Sequence, residues 1–360
     1  MARALGVGWW NLQNYFDTDD DPIADDFEYT PARGWTPALF EFKRRQLAAV
    51  LRAMDAQRPL DLLAVCEVEK DELLADLLTH AGLARLEVVR DPAGTSDLRG
   101  IDVALAIDPA RLAVERVRSH VVNLRYATRD ILEVSLRERA TGTPLVVIAS
   151  HWPSRGLGRY RSEPLRAAVA EQIAYLVQDH VKLPAREYLA AREADDLARV
   201  QARWETPVLI LGDFNDEPAD RSVTEHLRAS RELDRVRGET NDIDGFRSAA
   251  RYRAQEVFLY HPMWPHLARE GVGTYYLDAL RSGEKFANRY QVLDQLVVSR
   301  GLLGSQPLQL AVDSVEIFAD PLVATRSGRP RRFRFDRDGG RAPSGVSDHL
   351  PVLAAIAVTD

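Results

Sequence analysis

The stretch ILGDFNDEP occupies residues 210–218, where an apolar run is followed directly by several acidic and amide side chains. The apolar run 208–211 predicts a short buried strand that ends at Gly212. Four polar groups follow in close succession: Asp213, Asn215, Asp216 and Glu217. A buried strand that carries several carboxylates and an amide at its tip is a candidate for a binding or catalytic site.

The same arrangement recurs along the chain. Apolar runs that predict buried strands are 5–10, 60–65, 103–107, 145–149, 208–211, 292–298 and 350–358, and 131–136 alternates like a half-buried strand. Polar residues follow or flank these runs: Asn11, Gln13, Glu67, His151, Asp213, Asn215, Asp294, Asp348 and His349. One polar residue at a strand end is usually a turn former. Strand ends at one edge of a sheet converge, however, so the set predicts a single site.

The residue types in this set favour a hard divalent cation. Carboxylates and amides dominate, two histidines accompany them, and there is no cluster of cysteines. Oxygen ligands of this kind suit Mg²⁺, Mn²⁺ or Ca²⁺ rather than a structural zinc ion. We therefore expect Mg²⁺, with Mn²⁺ or Ca²⁺ as alternatives.

Asp294 is the sharpest single case, because it lies between apolar neighbours in the run 292–298. An ionised carboxylate in that setting has to be paired or hydrogen-bonded, and a histidine partner would satisfy it. The alternative is that Asp294 points to the solvated face of an alternating strand. The local sequence leaves both interpretations open.

Composition limits the possible functions. The net charge of −7 gives no overall cationic field for nucleic acid, although a local groove can still be basic. One cysteine, Cys66, cannot form an intramolecular disulfide. We find no signal peptide and no apolar stretch long enough to span a membrane, so we expect a cytoplasmic protein. The oligomeric state is left open.

Helical patterns alternate with the predicted strands. They cover 40–54, 69–79 and 163–181, and 186–203 either prolongs or flanks the third helix. No stretch in the middle of the chain has the composition of a linker. The pattern predicts one mixed α/β domain over residues 1–360.

These motifs together resemble the endonuclease/exonuclease/phosphatase superfamily, of which deoxyribonuclease I is a member. The resemblance is carried by Asn11 to Asn14, Glu67, His151, the GDFN motif at 212–215, Asp294 with Gln295, and the SDH motif at 347–349. The motifs stand in the family's order and extend over nearly the whole chain. The resemblance implies a four-layer α-β-β-α sandwich of two packed, mostly antiparallel sheets, and metal-dependent hydrolysis of phosphoesters.

The resemblance also implies roles for individual residues. Glu67 and Asn11 correspond to metal ligands, and Asp348 to a carboxylate at or beside the metal. Asp213 and Asn215 correspond to the pair that orients the attacking water and the phosphate. His349 is implied as the base or phosphate contact, oriented by Asp294, and His151 as a second histidine of deoxyribonuclease I-like members. Arg129 resembles an arginine that contacts the scissile phosphate, and Asp102 could orient His151 or form an exposed ion pair.

Three functions remain in competition. The leading hypothesis is a Mg²⁺-dependent phosphodiesterase, an endo- or exonuclease on DNA or RNA, because His151 accompanies His349 and the tryptophan-cysteine-aspartate-arginine signature of the lipid 5-phosphatases is missing around Asp294. The second is a hydrolase of small phosphoesters or phospholipid head groups, which the acidic net charge favours. The third is a non-catalytic binding module of the same family.

Two further stretches are ambiguous in the sequence. The segment 326–341, RSGRPRRFRFDRDGGR, is basic and rich in glycine, and its composition is typical of a mobile surface loop more than of a nucleic-acid contact. Arg155, in the motif HWPSR at 151–155, could contact a phosphate or cap the helix that follows.

Overall fold

The computed structural model describes residues 3–90, 99–124, 128–238, 245–246, 248–278, 288–304 and 306–359. These residues form two seven-stranded sheets and a two-stranded hairpin. The first sheet has the order β14-β16-β1-β2-β4-β3, with β15 paired to β16. Its strands are β1 (Arg3–Tyr15), β2 (Leu62–Val68), β3 (Glu87–Val89), β4 (Asp102–Ile107), β14 (Leu308–Leu310), β15 (Glu316–Ile317) and β16 (Val352–Val358). Among the described strand pairs of this sheet, only β1–β2 is parallel.

The second sheet has the order β5-β6-β7-β8-β13-β10-β9. Its strands are β5 (Leu112–His120), β6 (Ile131–Glu138), β7 (Pro144–His151), β8 (Val208–Asp213), β9 (Ala229–Ser230), β10 (Leu259–Tyr260) and β13 (Asp294–Val298). The hairpin consists of β11 (Tyr275–Tyr276) and β12 (Tyr290–Gln291). In this sheet the pairs β7–β8 and β9–β10 are parallel and the other described pairs are antiparallel.

The main core lies between the two sheets, and the alternation of side chains along β1 shows how it forms. Leu5, Val7 and Trp9 point toward the second sheet and join one buried cluster. Trp10 and Leu12 point the other way and join the cluster beneath the helices. Because successive side chains of a strand leave on opposite faces, a strand buried on both faces reads as a continuous apolar run.

Helices cover the outer face of each sheet. Helices α1 and α2 pack on the first sheet, and α3 packs on the second through Val169, Ile173 and Val177. The helices are α1 (Pro37–Gln57), α2 (Asp71–His80), α3 (Arg159–Val181), α4 (Ala185–Glu193), α5 (Leu197–Trp204), α6 (Leu233–Gly238), α7 (Ala249–Ala254) and α8 (Trp264–Leu267). The predicted four-layer sandwich with mostly antiparallel sheets is therefore confirmed.

One local interpretation needs correction, and a second needs an addition. The helical pattern at 186–203 is two helices, because Asp195 takes a left-handed φ of 51° and the Asp196 side chain caps the second helix at the backbone N–H of Arg199. The segment 326–341 lies mostly on the surface, as expected, but it is attached to the interior at Phe333, which is buried and packs edge-on against Trp35. In the described ranges no helix has the length and apolar character that a membrane crossing requires.

Gly212, at the end of β8, is required by packing. A Cβ atom there would lie 2.5 Å from the carbonyl oxygen of Ser150 and 2.6 Å from the Phe214 ring. We expect Gly212→Ala to lower the free energy of unfolding by about 1–3 kcal/mol, the usual effect of overpacking a core. Urea denaturation measures it. Gly304→Ala is the control, because a Cβ there meets, among the described atoms, only the Arg300 carbonyl oxygen at 3.9 Å. Equal stability of both variants would contradict the prediction.

Candidate active site

The strand register of the second sheet lines up three of the candidate residues. His151 at the end of β7 is paired with Asp213 at the end of β8, and Asp213 is paired with Asp294 at the start of β13. Directly paired residues on neighbouring strands have Cβ atoms about 4.5–5.5 Å apart. The three side chains therefore form one row across neighbouring strands, at the end of the sheet where β7 and β8 finish and β13 begins.

The first sheet contributes Asn11 and Glu67 at the same edge. The pairing of β2 with β4 shifts between Cys66 and Val68, and Glu67 takes a left-handed φ of 60°. Such a bulge changes the direction of a side chain at the end of a strand. Cys66 points into the core between the sheets, while the Glu67 carboxylate accepts hydrogen bonds from the Asn11 side chain (3.2 Å) and the Asn14 backbone N–H (2.8 Å).

Asp294 is fully buried, and both of its carboxylate oxygens accept hydrogen bonds. Trp9 Nε1 of the first sheet donates to Oδ1 at 2.9 Å, and His349 Nδ1 lies 2.6 Å from Oδ2. Of the two interpretations open in the sequence, the histidine-paired one matches this geometry. Because Nδ1 faces a carboxylate, His349 directs Nε2 toward Asp213, whose Oδ2 is 3.8 Å away.

The carboxylate oxygens around Asn11 are suitable ligand atoms for a hard cation. The Asn11 side-chain NH₂ lies between two carboxylates, 3.2 Å from Glu67 Oε1 and 3.1 Å from Asp213 Oδ2. The two carboxylates are oxygen ligands of the kind that Mg²⁺, Mn²⁺ and Ca²⁺ accept. The Asn11 oxygen Oδ1 accepts the Gln13 backbone N–H at 2.9 Å, so the amide would have to turn over to present that oxygen to a cation. A second group of possible ligands, Asp213, Asp294 and His349, is already explained by the hydrogen bond between His349 and Asp294.

The two histidines are driven to opposite protonation states. Burial alone lowers the pKa of His349, but Asp294 and Asp213 outweigh it and hold the pKa well above its usual range. Burial, with Arg129 and His349 nearby, holds the pKa of His151 well below its usual range. These directions favour an imidazolium at His349 and a neutral imidazole at His151. Such a division is typical of sites in which two similar groups have different roles.

Asp213 lies between these two histidines. Burial raises the pKa of its carboxyl to about 7, while His349 opposes the shift. Its Oδ1 accepts the backbone N–H of Asn215 at 2.9 Å, and its Oδ2 lies 3.6 Å from His151 Nε2. The carboxylate is thus oriented by the backbone on one side and surrounded by polar donors on the other.

The acidic stretch after Asp213 does not all point to the site. Asp216 is buried and pairs with Arg166, which is also buried, through a contact of 2.7 Å. Arg155 donates to the Asn215 carbonyl oxygen at 2.6 Å and pairs with Asp216 and Asp220. These residues hold the loop in place, and Arg155 does not cap α3.

Most of the predicted site residues line one cavity of about 560 Å³. Its walls include Glu67, Arg129, His151, Asp213, Asn215, Asp348 and His349. Asn11 and Asp294 lie fully buried, in hydrogen-bond contact with these residues. Asp348 pairs with Arg332 at 2.8 Å. The suggestion that Asp102 orients His151 is wrong, because His151 Nδ1 has no hydrogen-bond partner among the described residues.

Sequence reasoning missed several residues of the site. Tyr275 and Arg99 line the cavity, and the Tyr275 ring is 5.0 Å from the His349 ring. Lys43 is buried and donates to the carbonyl oxygens of Gln13 and Asn14. Trp9 could have been found from the alternation along β1, but no local signal distinguishes Tyr275, Arg99 or Lys43 from ordinary surface or helix residues.

The model of the Endonuclease/Exonuclease/phosphatase family matches residues 6–358. The chain belongs to this family. Membership agrees with the two seven-stranded sheets and with the order of the motifs along the chain. No curated protein matches the chain by sequence.

Solved structures share the fold of this chain at low sequence identity. An endonuclease/exonuclease/phosphatase family protein from Bacteroides thetaiotaomicron is 12% identical with a TM-score of 0.50, and the match covers 100% of each chain. Truncated TDP2 from Caenorhabditis elegans is 13% identical with a TM-score of 0.52, covering 99% of this chain and 98% of that one. TDP2 from D. rerio, complexed with a single-strand DNA product, is 12% identical with a TM-score of 0.52 and 99% coverage of both.

The pairing of His349 with Asp294 can be tested by titration. We expect Asp294→Asn to lower the pKa of His349, because the amide carries no charge to stabilise the imidazolium. Imidazole NMR of the metal-free protein measures it, and Glu133→Gln, which contacts His120 and His180 instead, is the control. In the wild type the pair stabilises the fold fully below the pKa of an unfolded histidine, about 6.5. That stability disappears as the pH rises through the folded-state pKa. An unchanged His349 titration in Asp294→Asn would contradict the assignment.

Proposed function

We propose that this protein is a divalent-metal-dependent phosphodiesterase that hydrolyses nucleic acid, with residues 1–360 acting as one catalytic domain. The observation that carries the proposal is the gathering of Glu67, Asn11, Asp213 and the His349–Asp294 pair around one cavity. Family membership supports phosphoester hydrolysis in general. The expectation of a cytoplasmic location stays a prediction.

Glu67 and Asn11 would hold the metal ion, most simply Mg²⁺, and Asp348 would serve as a neighbouring carboxylate. Asp348 is at present paired with Arg332, so its contribution depends on how that ion pair is shared. A bound cation would neutralise charge on the phosphate oxygens, which otherwise repel an attacking nucleophile.

The chain's own residues would supply proton transfer and orientation. Asp213 has an oxygen that faces both histidines, and its raised pKa suits a base that takes a proton from water near neutral pH. The Asn215 side chain is fixed by its hydrogen bond to the Trp152 carbonyl oxygen at 3.0 Å, which orients it beside Asp213.

Three cationic or neutral donors would stabilise the phosphate. His349, held as an imidazolium by Asp294, would donate from Nε2 to a phosphate oxygen, and Arg129 would add a fixed positive charge in the same cavity. His151, held neutral, would donate a hydrogen bond without adding charge. Donors aimed at the charge that develops in the transition state are usually a large part of catalysis.

A polymeric substrate is favoured over a small phosphoester by the walls of the cavity. Arg99 and Arg129 both line it, which gives two cationic side chains where a single phosphate needs one. Arg155 lines it too, but its charge is shared with Asp216 and Asp220. D. rerio TDP2, which shares the fold, was solved with a single-strand DNA product. The competing observation is the net charge of −7, which favours a small phosphoester or head-group substrate. A panel of plasmid DNA, single-stranded DNA, RNA and bis(p-nitrophenyl) phosphate with Mg²⁺ or Mn²⁺ separates the two.

Substitution of Glu67 tests whether phosphodiester hydrolysis requires a bound metal ion. We expect Glu67→Gln, and EDTA treatment of the wild type, to lower the turnover of bis(p-nitrophenyl) phosphate by roughly a hundredfold or more, because the charge that binds the cation is lost. Calorimetric titration with Mn²⁺ should show weaker binding in the variant. Glu171→Gln is the control, because Glu171 lies on α3 and pairs with His226. Full activity of Glu67→Gln would assign the activity elsewhere, and absence of turnover in the wild type on every substrate would favour a non-catalytic module.

His349 tests the proposed phosphate contact. We expect His349→Ala to lower kcat by roughly 10²–10⁴, the usual contribution of a positioned donor or acid. His226→Ala, which changes a half-buried histidine on the other side of the second sheet, should retain activity. Because His349→Ala leaves the Asp294 carboxylate short of one partner, circular dichroism has to accompany the assay, and His349→Gln restores a donor. Full activity in a folded His349→Ala variant would refute this role.

A further inference from the structure

Positive charge is concentrated in one segment of an otherwise acidic protein. The chain carries a net charge of −7, while residues 326–341 contain seven arginines against two aspartates, a local net charge of +5. Six of these arginines are exposed and Arg332 is half-buried. A local cationic stretch can attract a polyanion even when the whole protein is acidic.

The segment is anchored to the interior by its aromatic residues. The Phe333 ring packs edge-on against Trp35 at 5.9 Å, and Phe335 packs against the same indole at 5.3 Å. Gln13 holds the Phe333 backbone twice, accepting its N–H at 2.8 Å and donating to its carbonyl oxygen at 3.0 Å. The Lys43 ammonium lies 4.6 Å from the centre of the Phe333 ring. The arginines around Phe333 are thereby held in place next to the β1 end that carries Asn11.

Arg332 and Arg334 flank Phe333 and lie close to the same aspartate. Arg332 and Arg334 both pair with Asp278, at 3.6 and 3.2 Å, and Arg332 also pairs with Asp348. The Arg329 guanidinium lies 4.2 Å from the centre of the Tyr276 ring. We call Arg329, Arg332 and Arg334 the arginine strip.

The arginine strip continues directly from the active-site cavity. It lines a second cavity of about 350 Å³, and Asp348 belongs to the walls of both cavities. The hairpin strand β11 stands between the two, with Tyr275 lining the first and Tyr276 lining the second. A chain that leaves the active site past Tyr275 would therefore meet the strip and an aromatic surface at once.

We propose that the arginine strip binds the backbone phosphates of a single-stranded nucleic acid on one side of the bond that is cleaved. This inference rests on the proposed function and names its substrate class. Arginines that follow a backbone beside aromatic rings are the usual means of binding single strands without sequence preference. A small phosphoester in the first cavity has no second phosphate to place on the strip. An anionic membrane is disfavoured because the strip lines a recess.

Binding in the absence of metal tests the inference independently of catalysis. Fluorescence anisotropy of a labelled 12-nucleotide oligothymidylate in EDTA should show Kd rising roughly tenfold in the double variant Arg329→Gln/Arg334→Gln, and the slope of log Kd against log salt falling by about 1.4 for two lost phosphate contacts. Arg332 is left unchanged because it pairs with Asp348. Arg116→Gln, on the edge strand β5, is the matched control and should behave like wild type. The double variant Arg329→Lys/Arg334→Lys keeps both positive charges, so its slope of log Kd against log salt should equal that of the wild type.

Turnover then separates the two hypotheses. The double glutamine variant should lose kcat/KM on the oligonucleotide by a much larger factor than on bis(p-nitrophenyl) phosphate. Wild-type hydrolysis of the small diester, with oligonucleotide binding indifferent to the strip, would overturn this inference and leave the proposed function intact. Strip-dependent oligonucleotide binding, with no hydrolysis of any substrate by the wild type, would overturn the proposed function and leave binding of single strands by the strip intact. Strip-dependent binding to phosphatidylserine vesicles, with unchanged oligonucleotide binding, would also overturn it.

Discussion

The buried carboxylate of Asp294 is the interaction on which the site and the packing of the two sheets both depend. It belongs to the second sheet, yet its partners Trp9 and His349 belong to β1 of the first sheet and to the loop before β16. A carboxylate with no exposure is tolerated only when donors occupy its oxygens. Removing one partner of a buried charged pair typically costs about 3–5 kcal/mol, so the sheets are held in one relative position at the edge where the chemistry lies.

The same edge concentrates strained backbone. Gln13, Asn14, Glu67 and Asn215 all have left-handed φ angles between 49° and 60°, and in the described part of the chain only two other non-glycine residues do. Each such residue costs of order 1–3 kcal/mol and persists only where its surroundings impose it. Buried Lys43, whose pKa burial lowers to about 7, helps to impose it by binding the carbonyl oxygens of Gln13 and Asn14. The result is that the Asn14 N–H points at the Glu67 carboxylate.

The charges around each side chain give the two histidines of the site different pKa values. Asp294 and Asp213 raise the pKa of His349, whereas burial, with Arg129 nearby, lowers the pKa of His151. Asp213 lies between the two histidines, and burial raises the pKa of its carboxyl. The positive charge around the cavity comes from single arginines on separate loops, and the overall charge of −7 gives no hint of it.

The sequence by itself determined the strands and their polar tips, because the apolar runs and the GDFN and SDH motifs are local patterns that a buried strand and a turn impose directly. From these the four-layer fold, the family and the clustering of Asn11, Glu67, Asp213 and His349 could be anticipated. It did not determine that Asp216 would turn away to Arg166 while Asp213 faces the cavity, or that His151 Nδ1 would have no hydrogen-bond partner in the described part of the chain. It also gave no indication that Phe333, within a glycine-rich basic stretch, would dock on Trp35. These outcomes depend on strand register, on a bulge at Glu67 and on contacts between residues as far apart as Gln13 and Phe333. Only tertiary packing decides them, because the free energy of each contact depends on where a distant segment of the chain comes to lie.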